Sequence, residues 1–270
     1  MAQETTTLAT CWKITRRDAA VYTFTSHDLN LVVGGLTYLA ASGFTPSAIA
    51  SSSDFSVGNL DVAGALSSAS MTDADLVAGL WDFAAVIIFE VNWSDLSQGV
   101  RNLRSGTLGN VKSGRLTYQA ELRDMMQPLS QMIGRRVQPA CDADLGAARC
   151  GVNLAPVTTA AVVFAATNLY TFVSLGLVGF GANYFVGGKV TWTSGANNGQ
   201  AREIKAYDTV TGEVQVFEQL PYTISSGNLI SIYPGCDKSA ATCRTKFSNI
   251  VNFQGFPFLP GRDALAKGPP

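Results

Sequence analysis

The chain has 270 residues, with 19 Lys and Arg against 20 Asp and Glu and a formal net charge of −1, so it carries no basic field for holding nucleic acid tightly. A hydrophobic content of 47% with only 14% charge excludes a chain that is disordered throughout and leaves enough apolar material for two domains. No apolar run reaches the length of a membrane span. The longest candidate, Ala160–Phe185, is broken by Asn168, Gly176, Gly179, Gly181 and Asn183, so no membrane insertion is expected.

The first residues, Met1–Thr7, have no basic start, no apolar core and no cleavage site, which argues against export. From Thr10 to Ala40 the pattern alternates in the manner of strands. Val21–Thr25 forms one strand, and Leu31–Val33 and Leu36–Leu39 flank Gly34-Gly35, a two-residue hairpin signal. His27 and Asp28 fall in a turn. His27, the single histidine, has no Ser or Cys partner placed by sequence and is taken as a polar turn residue; Cys11 is taken as a small buried apolar residue.

Residues 43–70 are rich in Ser, Ala and Gly, with short extended pieces at Phe55–Val57 and Leu60–Val62. Thr72 is an N-cap candidate with Asp73 and Asp75 at the positive end of a helix running to about Trp81 or Phe83. Ala84–Trp93 is apolar enough for a central strand. Val100–Leu108 and Arg115–Leu122 form a β pair around a turn at Gly109–Gly114. Leu122, Met125, Met126, Leu129, Met132 and Ile133 then fall at helical spacing, with a break at Pro128.

After Cys150 strand signals crowd together: Ala161–Ala165, Leu169–Val173, Tyr184–Val186, Lys189–Thr193, Ala201–Tyr207, Glu213–Phe217 and Leu229–Tyr233. Many short strands at regular spacing predict a small β-barrel or sandwich. The tail from Arg262 to Pro270 reads as a polar arm.

Four of the five cysteines lie in two pieces, Cys141–Cys150 (C-x8-C) and Cys236–Cys243 (C-x6-C), at the two ends of this strand-rich segment. Three chemistries compete for them. Two disulfides need an oxidising compartment, which the N-terminus does not provide. Structural zinc usually takes a tighter C-x2–4-C knuckle than either spacing here. An iron–sulfur cluster takes four thiolates and, being larger than one ion, tolerates wider spacing. Arg149, Lys238, Arg244 and Lys246 flank the cysteines and would offset the negative charge of such a centre. There is no phosphate loop, no H-E-x-x-H and no other catalytic constellation, so no enzyme is expected.

The run CDADLGAARCGVNL from Cys141 to Leu154, with PGCDKSAATCRTKFSNIVNFQGFPFLPG from Pro234 to Gly261, resembles the C-terminal part of the baseplate hub proteins of long-tailed phages and gene transfer agents. It is more distantly similar to the tail-tip protein L of phage lambda. Trp12–Asp18, Phe24–Asp28, Ser56–Leu60 and Phe185–Gly195 resemble the same family, so the likeness covers nearly the whole chain.

That resemblance implies an iron–sulfur cluster, of [4Fe–4S] type, on Cys141, Cys150, Cys236 and Cys243, with zinc as the alternative. It implies a mainly β fold with few helices: a tail-tube-like β-barrel hub domain at residues 1–139 and a cluster-binding domain at 140–270 with an inserted β-module at 155–234. It also implies a structural protein assembled in the bacterial cytoplasm and located at the tail tip of a particle. Three copies would form a ring between the distal tail protein and a larger receptor-side tip protein, around DNA that passes without tight binding. The alternatives are an iron–sulfur electron carrier and, less well supported, a tail-tip cell-wall hydrolase using Cys11 and His27.

Overall fold

A computed structural model describes residues 7–40, 60–64, 72–113, 118–123, 129, 131 and 133–260. The chain divides into two compact units, Met1–Ile133 and Gly134–Pro270. The division falls a little before the expected boundary between residues 139 and 140. Both units are mainly β.

The N-terminal unit is built on β1 (Leu8–Thr15), β2 (Val21–Thr25), β3 (Leu31–Val33), β4 (Leu36–Ala40), β5 (Leu60–Gly64), β6 (Ala85–Asn92), β7 (Val100–Ser113) and β8 (Tyr118–Arg123), in the sheet order β3-β4-β2-β1-β6-β7-β8-β5. Among the described residues only β2 and β4 pair in parallel. Among the described residues the ladder does not close into a barrel, so this part is a curled open sheet. Gly34 and Gly35 both take positive φ, 58° and 79°, which a two-residue hairpin of the favoured twist requires.

Residues along a strand alternate between faces, so one buried face gives strict alternation. β1 and β6 break that rule at one place. Cys11 and Trp12 are both buried, as are Phe89 and Ile88 beside them in the register. Trp12, Ile14, Val86 and Ile88 join a core with Trp81, Leu108 and Leu122. Ala9, Cys11, Phe89 and Val91 join another with Leu31 and Tyr38. The sheet therefore buries opposite faces at its two ends, and β6 reads as continuously apolar for that reason. A bulge on β7 opposite Ile88 and Phe89 sits at the crossover.

The predicted helix after Thr72 is short. α1 spans Asp73–Val77, capped by the Thr72 side chain accepting from Asp75 N at 3.1 Å, and Gly79 at φ 71° ends the turn. Arg16 fixes it to the sheet, 3.3 Å from Asp75 and over the rings of Tyr22 and Trp81 at 5.5 Å each. Two further expectations are corrected. Gly109 lies within β7 at a bulge rather than in a turn, with the Arg123 side chain where a Cβ would stand. Leu122 is a buried strand residue of β8, not part of a helical face, while Leu129 and Ile133 are exposed. Met125, Met126, Pro128, Met132, Phe55–Val57 and the arm from Arg262 lie outside the described residues, as do most of the residues carrying the Ser56–Leu60 resemblance.

The C-terminal unit holds β9 (Thr159–Val162), β10 (Ala165–Ala166), β11 (Thr171–Val173), β12 (Lys189–Trp192), β13 (Ala201–Tyr207), β14 (Glu213–Val216), β15 (Leu229–Tyr233) and α2 (Ala240–Thr245). The antiparallel order is β10-β11-β14-β13-β12-β15-β9. The two end strands are consecutive in the chain. Val163 N bonds to Asn228 O on the β15 side, and Phe164 N bonds to Val173 O on the β11 side. One bent strand thus supplies both ends of the ladder, and the sheet curls back on itself. Inside lie Phe172, Phe185, Trp192, Ile204, Leu220 and Ile230, all fully buried. Tyr184–Val186, expected as a strand, forms a turn instead. Phe185 enters the core there, edge-on to Tyr207 at 5.1 Å and to Tyr184 at 5.0 Å.

Among the described residues no helix is long and apolar enough to cross a membrane.

Candidate functional site

The two cysteine segments enter and leave this curled sheet, and backbone hydrogen bonds join them. Cys141 N donates to Lys238 O at 2.9 Å, with Lys238 in the left-handed region at φ 62°. Cys150 follows a short run of turns in which its N–H donates to Ala147 O at 2.9 Å. Cys236 follows Gly235, where any side chain would overlap the Val186 carbonyl. Cys243 sits on α2, whose first turn is capped by Ser239 accepting from Thr242 N at 3.1 Å.

Cys141, Cys150, Cys236 and Cys243 line one small pocket, walled otherwise mainly by apolar side chains such as Leu145, Val152, Phe247 and Phe253. Its empty space is about 320 Å³ with the mouth included. No disulfide joins them, and Cys150 and Cys243 are buried. Burial pushes the Cys243 thiol above its ordinary value, and the charges of Cys236, Cys141 and Cys150 push it the same way.

No group of three or more His, Cys, Asp or Glu among the described residues is drawn together as one metal ion would need. That stands beside four cysteines around a single pocket. Soft sulfur donors in a mainly apolar setting match the chemistry of iron–sulfur clusters.

The flanking cations are placed differently from the sequence expectation. Arg149 pairs with Asp142 at 2.6 Å, as does Arg135 at 2.8 Å, and Arg135 also donates to Gln254 O at 2.7 Å. Those two guanidiniums hold the Asp142 carboxyl below its usual range, Arg135 contributing more. Lys238 donates to Ala143 O at 2.5 Å, and Arg244 is exposed. Lys246 is half-buried: it donates to Tyr184 O at 2.7 Å and Gly235 O at 2.8 Å, and its ammonium lies 4.6 Å from the Tyr184 ring centre. Burial pulls its pKa down, while the Cys236 charge acts in the opposite direction.

The NFQGFP run closes the site from outside. Phe256 N donates to Gln138 O at 2.9 Å. Gly255 packs against the backbone of Pro139 and Ala140 with no room for a Cβ. Asn249 spans the two cysteine segments, a role the sequence alone did not reveal: its side-chain nitrogen donates to Cys150 O at 2.5 Å, and its carbonyl accepts from the Cys243 thiol at 3.3 Å.

The other candidates stand apart from this site. Cys11 is fully buried in the N-terminal unit, its thiol 3.6 Å from Thr25 Oγ1 and raised in pKa by burial. His27 takes a hydrogen bond from Leu29 N on Nδ1 at 3.0 Å and lies 5.0 Å from the Trp93 ring. Neither arrangement is that of an activated nucleophile with its base.

Comparison with known proteins bears on the whole chain. Residues 1–153 match the family described as baseplate hub protein, N-terminal attachment domain. Residues 183–263 match the family described as phage conserved hypothetical protein BR0599. The first match takes in Cys141 and Cys150, the second Cys236 and Cys243. Comparison with curated proteins gave no match. Among solved structures, a chain in the virion of a native gene transfer agent particle is similar at 34% identity and a TM-score of 0.80, over 99% of this chain and 93% of that one. Matched over more than half its length by the hub model and nearly end to end by that virion chain, the protein belongs to the baseplate hub family and is a structural component of the tail tip of a virion-type particle.

Proposed function

We propose that this hub protein forms a homotrimeric ring around the DNA channel of a long-tailed phage or gene transfer agent. In this reading the ring lies between the distal tail protein and a larger tip protein, and the N-terminal unit is a tail-tube-like module whose barrel is completed in the assembly. The observation that supports it is the near-complete match to a chain of a gene transfer agent virion. Exposed Leu29, Val32 and Leu39 at the β3–β4 end of the sheet are apolar surface of the kind that an assembly covers. A net charge of −1 suits a lumen that must release DNA rather than hold it.

We further propose that Cys141, Cys150, Cys236 and Cys243 hold one [4Fe–4S] cluster, making residues 134–270 an iron–sulfur domain. The single pocket lined by all four thiols supports this. A bound cluster would supply a four-point cross-link whose binding energy becomes folding energy for segments with little core of their own. The protein's residues give the thiols, exclude water and lay Lys246 near Cys236; a redox turnover is not part of the role. Iron, sulfide and zinc analysis of anaerobically purified protein tests the cluster, and stoichiometric zinc without the broad visible sulfur-to-iron band would overturn it. Electron microscopy of assembled particles tests the ring, which is wrong if particles lacking this chain keep a complete tail tip.

A further inference from the structure

We propose that Asn249 is a positioning residue of the cysteine site, holding Cys150 and Cys243 in one arrangement and donating its amide toward the Cys150 sulfur. The inference rests on the cluster reading above and adds to it a residue outside the ligand set.

The local fold explains why this residue reaches both segments. α2 ends at Thr245 with Lys246 as its C-cap, and Ser248, in the left-handed region at φ 51°, turns the chain back. Asn249 N then donates to Cys243 O at 2.9 Å, and the Asn249 carbonyl lies 3.3 Å from the Cys243 sulfur. The side chain points the other way. Its nitrogen donates to Cys150 O at 2.5 Å and stands 3.9 Å from Cys150 Sγ. Its oxygen accepts from Asn252 Nδ2 at 2.7 Å. A carbonyl only accepts, so the amide nitrogen must face Cys150, and the partners fix the orientation of the side chain.

Groups outside the ligand set orient the ligands and tune what they hold. An N–H aimed at a cysteine sulfur stabilises charge gathered there, which favours the more electron-rich state and raises the reduction potential. Aspartate keeps the shape of Asn249 but sets lone pairs against both the Cys150 carbonyl and its sulfur. Asn249→Asp therefore separates the donor from the mere filling of space.

The test compares the wild-type protein with Asn249→Asp, Asn249→Ala and Asn252→Ala, all prepared without oxygen. The readouts are the midpoint potential followed on the visible band, the rate at which an iron chelator bleaches that band, and the thermal midpoint of the metal-free protein. Asn249→Asp should bleach roughly 10- to 100-fold faster and shift the potential to more negative values, with Asn249→Ala following in the same direction. Asn252→Ala, which frees the Asn249 side chain and also removes one polar side chain from the pocket wall, should move both in the same direction by less and decides the matter if the Asn249 variants do not fold. A lowered thermal midpoint with unchanged potential and bleaching would overturn the proposal and leave Asn249 as ordinary packing. A wild-type protein without any visible band would instead overturn the cluster reading itself, so the two failures are distinguishable.

Discussion

The C-terminal unit contains two regions that hold themselves together by different means. The curled sheet from Thr159 to Tyr233 encloses Phe172, Phe185, Trp192, Ile204, Leu220 and Ile230, which have no solvent contact to speak of. The cysteine lobe, residues 134–158 with 234–260, has one six-residue helix and short 3-10 turns. Its order comes from polar ties: Arg135 and Arg149 on Asp142, Lys238 on Ala143 O, Lys246 on Tyr184 O, and Asn249 on Cys150 O. A region with an apolar core is stabilised by burial over its whole length. A region held by single hydrogen bonds gains about 1 kcal/mol from each, against a similar entropy cost for every residue it orders. The difference gives the proposed cluster its place: a four-point cross-link would matter to the lobe and not to the sheet.

The largest effect should come from removing that cross-link. Cys236→Ser is expected to abolish the visible band and to raise hydrogen exchange across 134–158 and 234–260, while 159–233 stays protected. Equal loss of protection in both regions would break the comparison. The reverse perturbation attacks the core. Trp192 is fully buried between Phe172 and its neighbours, with ring centres 5.5 Å apart. Trp192→Ala should cost the metal-free unit about 3–5 kcal/mol of unfolding free energy, read from the denaturant midpoint. A loss under ~1 kcal/mol would mean that the sheet is not held by its core.

How much of this was legible beforehand follows the same divide. Strands with regular alternation and plain turn residues were readable: the Gly34-Gly35 hairpin and the central β6. Gly109 misled, because a glycine that admits the Arg123 side chain at a bulge looks in sequence like a glycine that makes a turn. Tyr184–Val186 misled for a related reason: aromatic and β-branched residues fill a core from a corner as well as from a strand. At the site, cysteine spacing pointed to one cluster of thiols, and the four do line one pocket. The partners of the flanking charges were not legible. Arg149 and Lys238 turn to Asp142 and a carbonyl, choices made by tertiary placement rather than by neighbours in the chain. Asn249 was hidden because its reach depends on the left-handed backbone at Ser248.

A smaller effect tests the packing of the lobe without touching a thiol. A Cβ at Gly255 would stand 2.6 Å from Pro139 O and 2.7 Å from Ala140 C, both backbone atoms that cannot swing aside. Gly255→Ala should therefore displace the NFQGFP run, break the Phe256–Gln138 hydrogen bond and cost about 1–3 kcal/mol in the cluster-bound protein. Faster exchange of the Phe256 amide is the direct readout. Because the cysteines are unchanged, the visible band should persist at low temperature, which separates this variant from Cys236→Ser.

The smallest effect lies on the sheet side, at the hairpin joining β13 to β14. Asp208 accepts from Val210 N at 2.9 Å and from Thr211 Oγ1 at 2.7 Å, while Gly212 at φ 71° closes the turn by donating to Asp208 O at 2.9 Å. The Thr211 hydroxyl first, and then the Val210 amide, hold the Asp208 carboxyl below its ordinary value. A carboxyl depressed in the folded state contributes stability above its unfolded pKa and loses it as pH falls through the folded one. The contribution should be constant above about pH 5 and fade below about pH 4, near the ordinary carboxylate value. Asp208→Asn should remove that pH dependence from the hairpin while keeping its geometry, because the amide oxygen still accepts one of the two bonds. The site is open to water, so the change should be visible as local amide exchange at Val210 and Gly212 rather than as a shift in global unfolding. A pH dependence that survives Asp208→Asn unchanged would assign it to other carboxylates and remove this turn from the polar ties that matter.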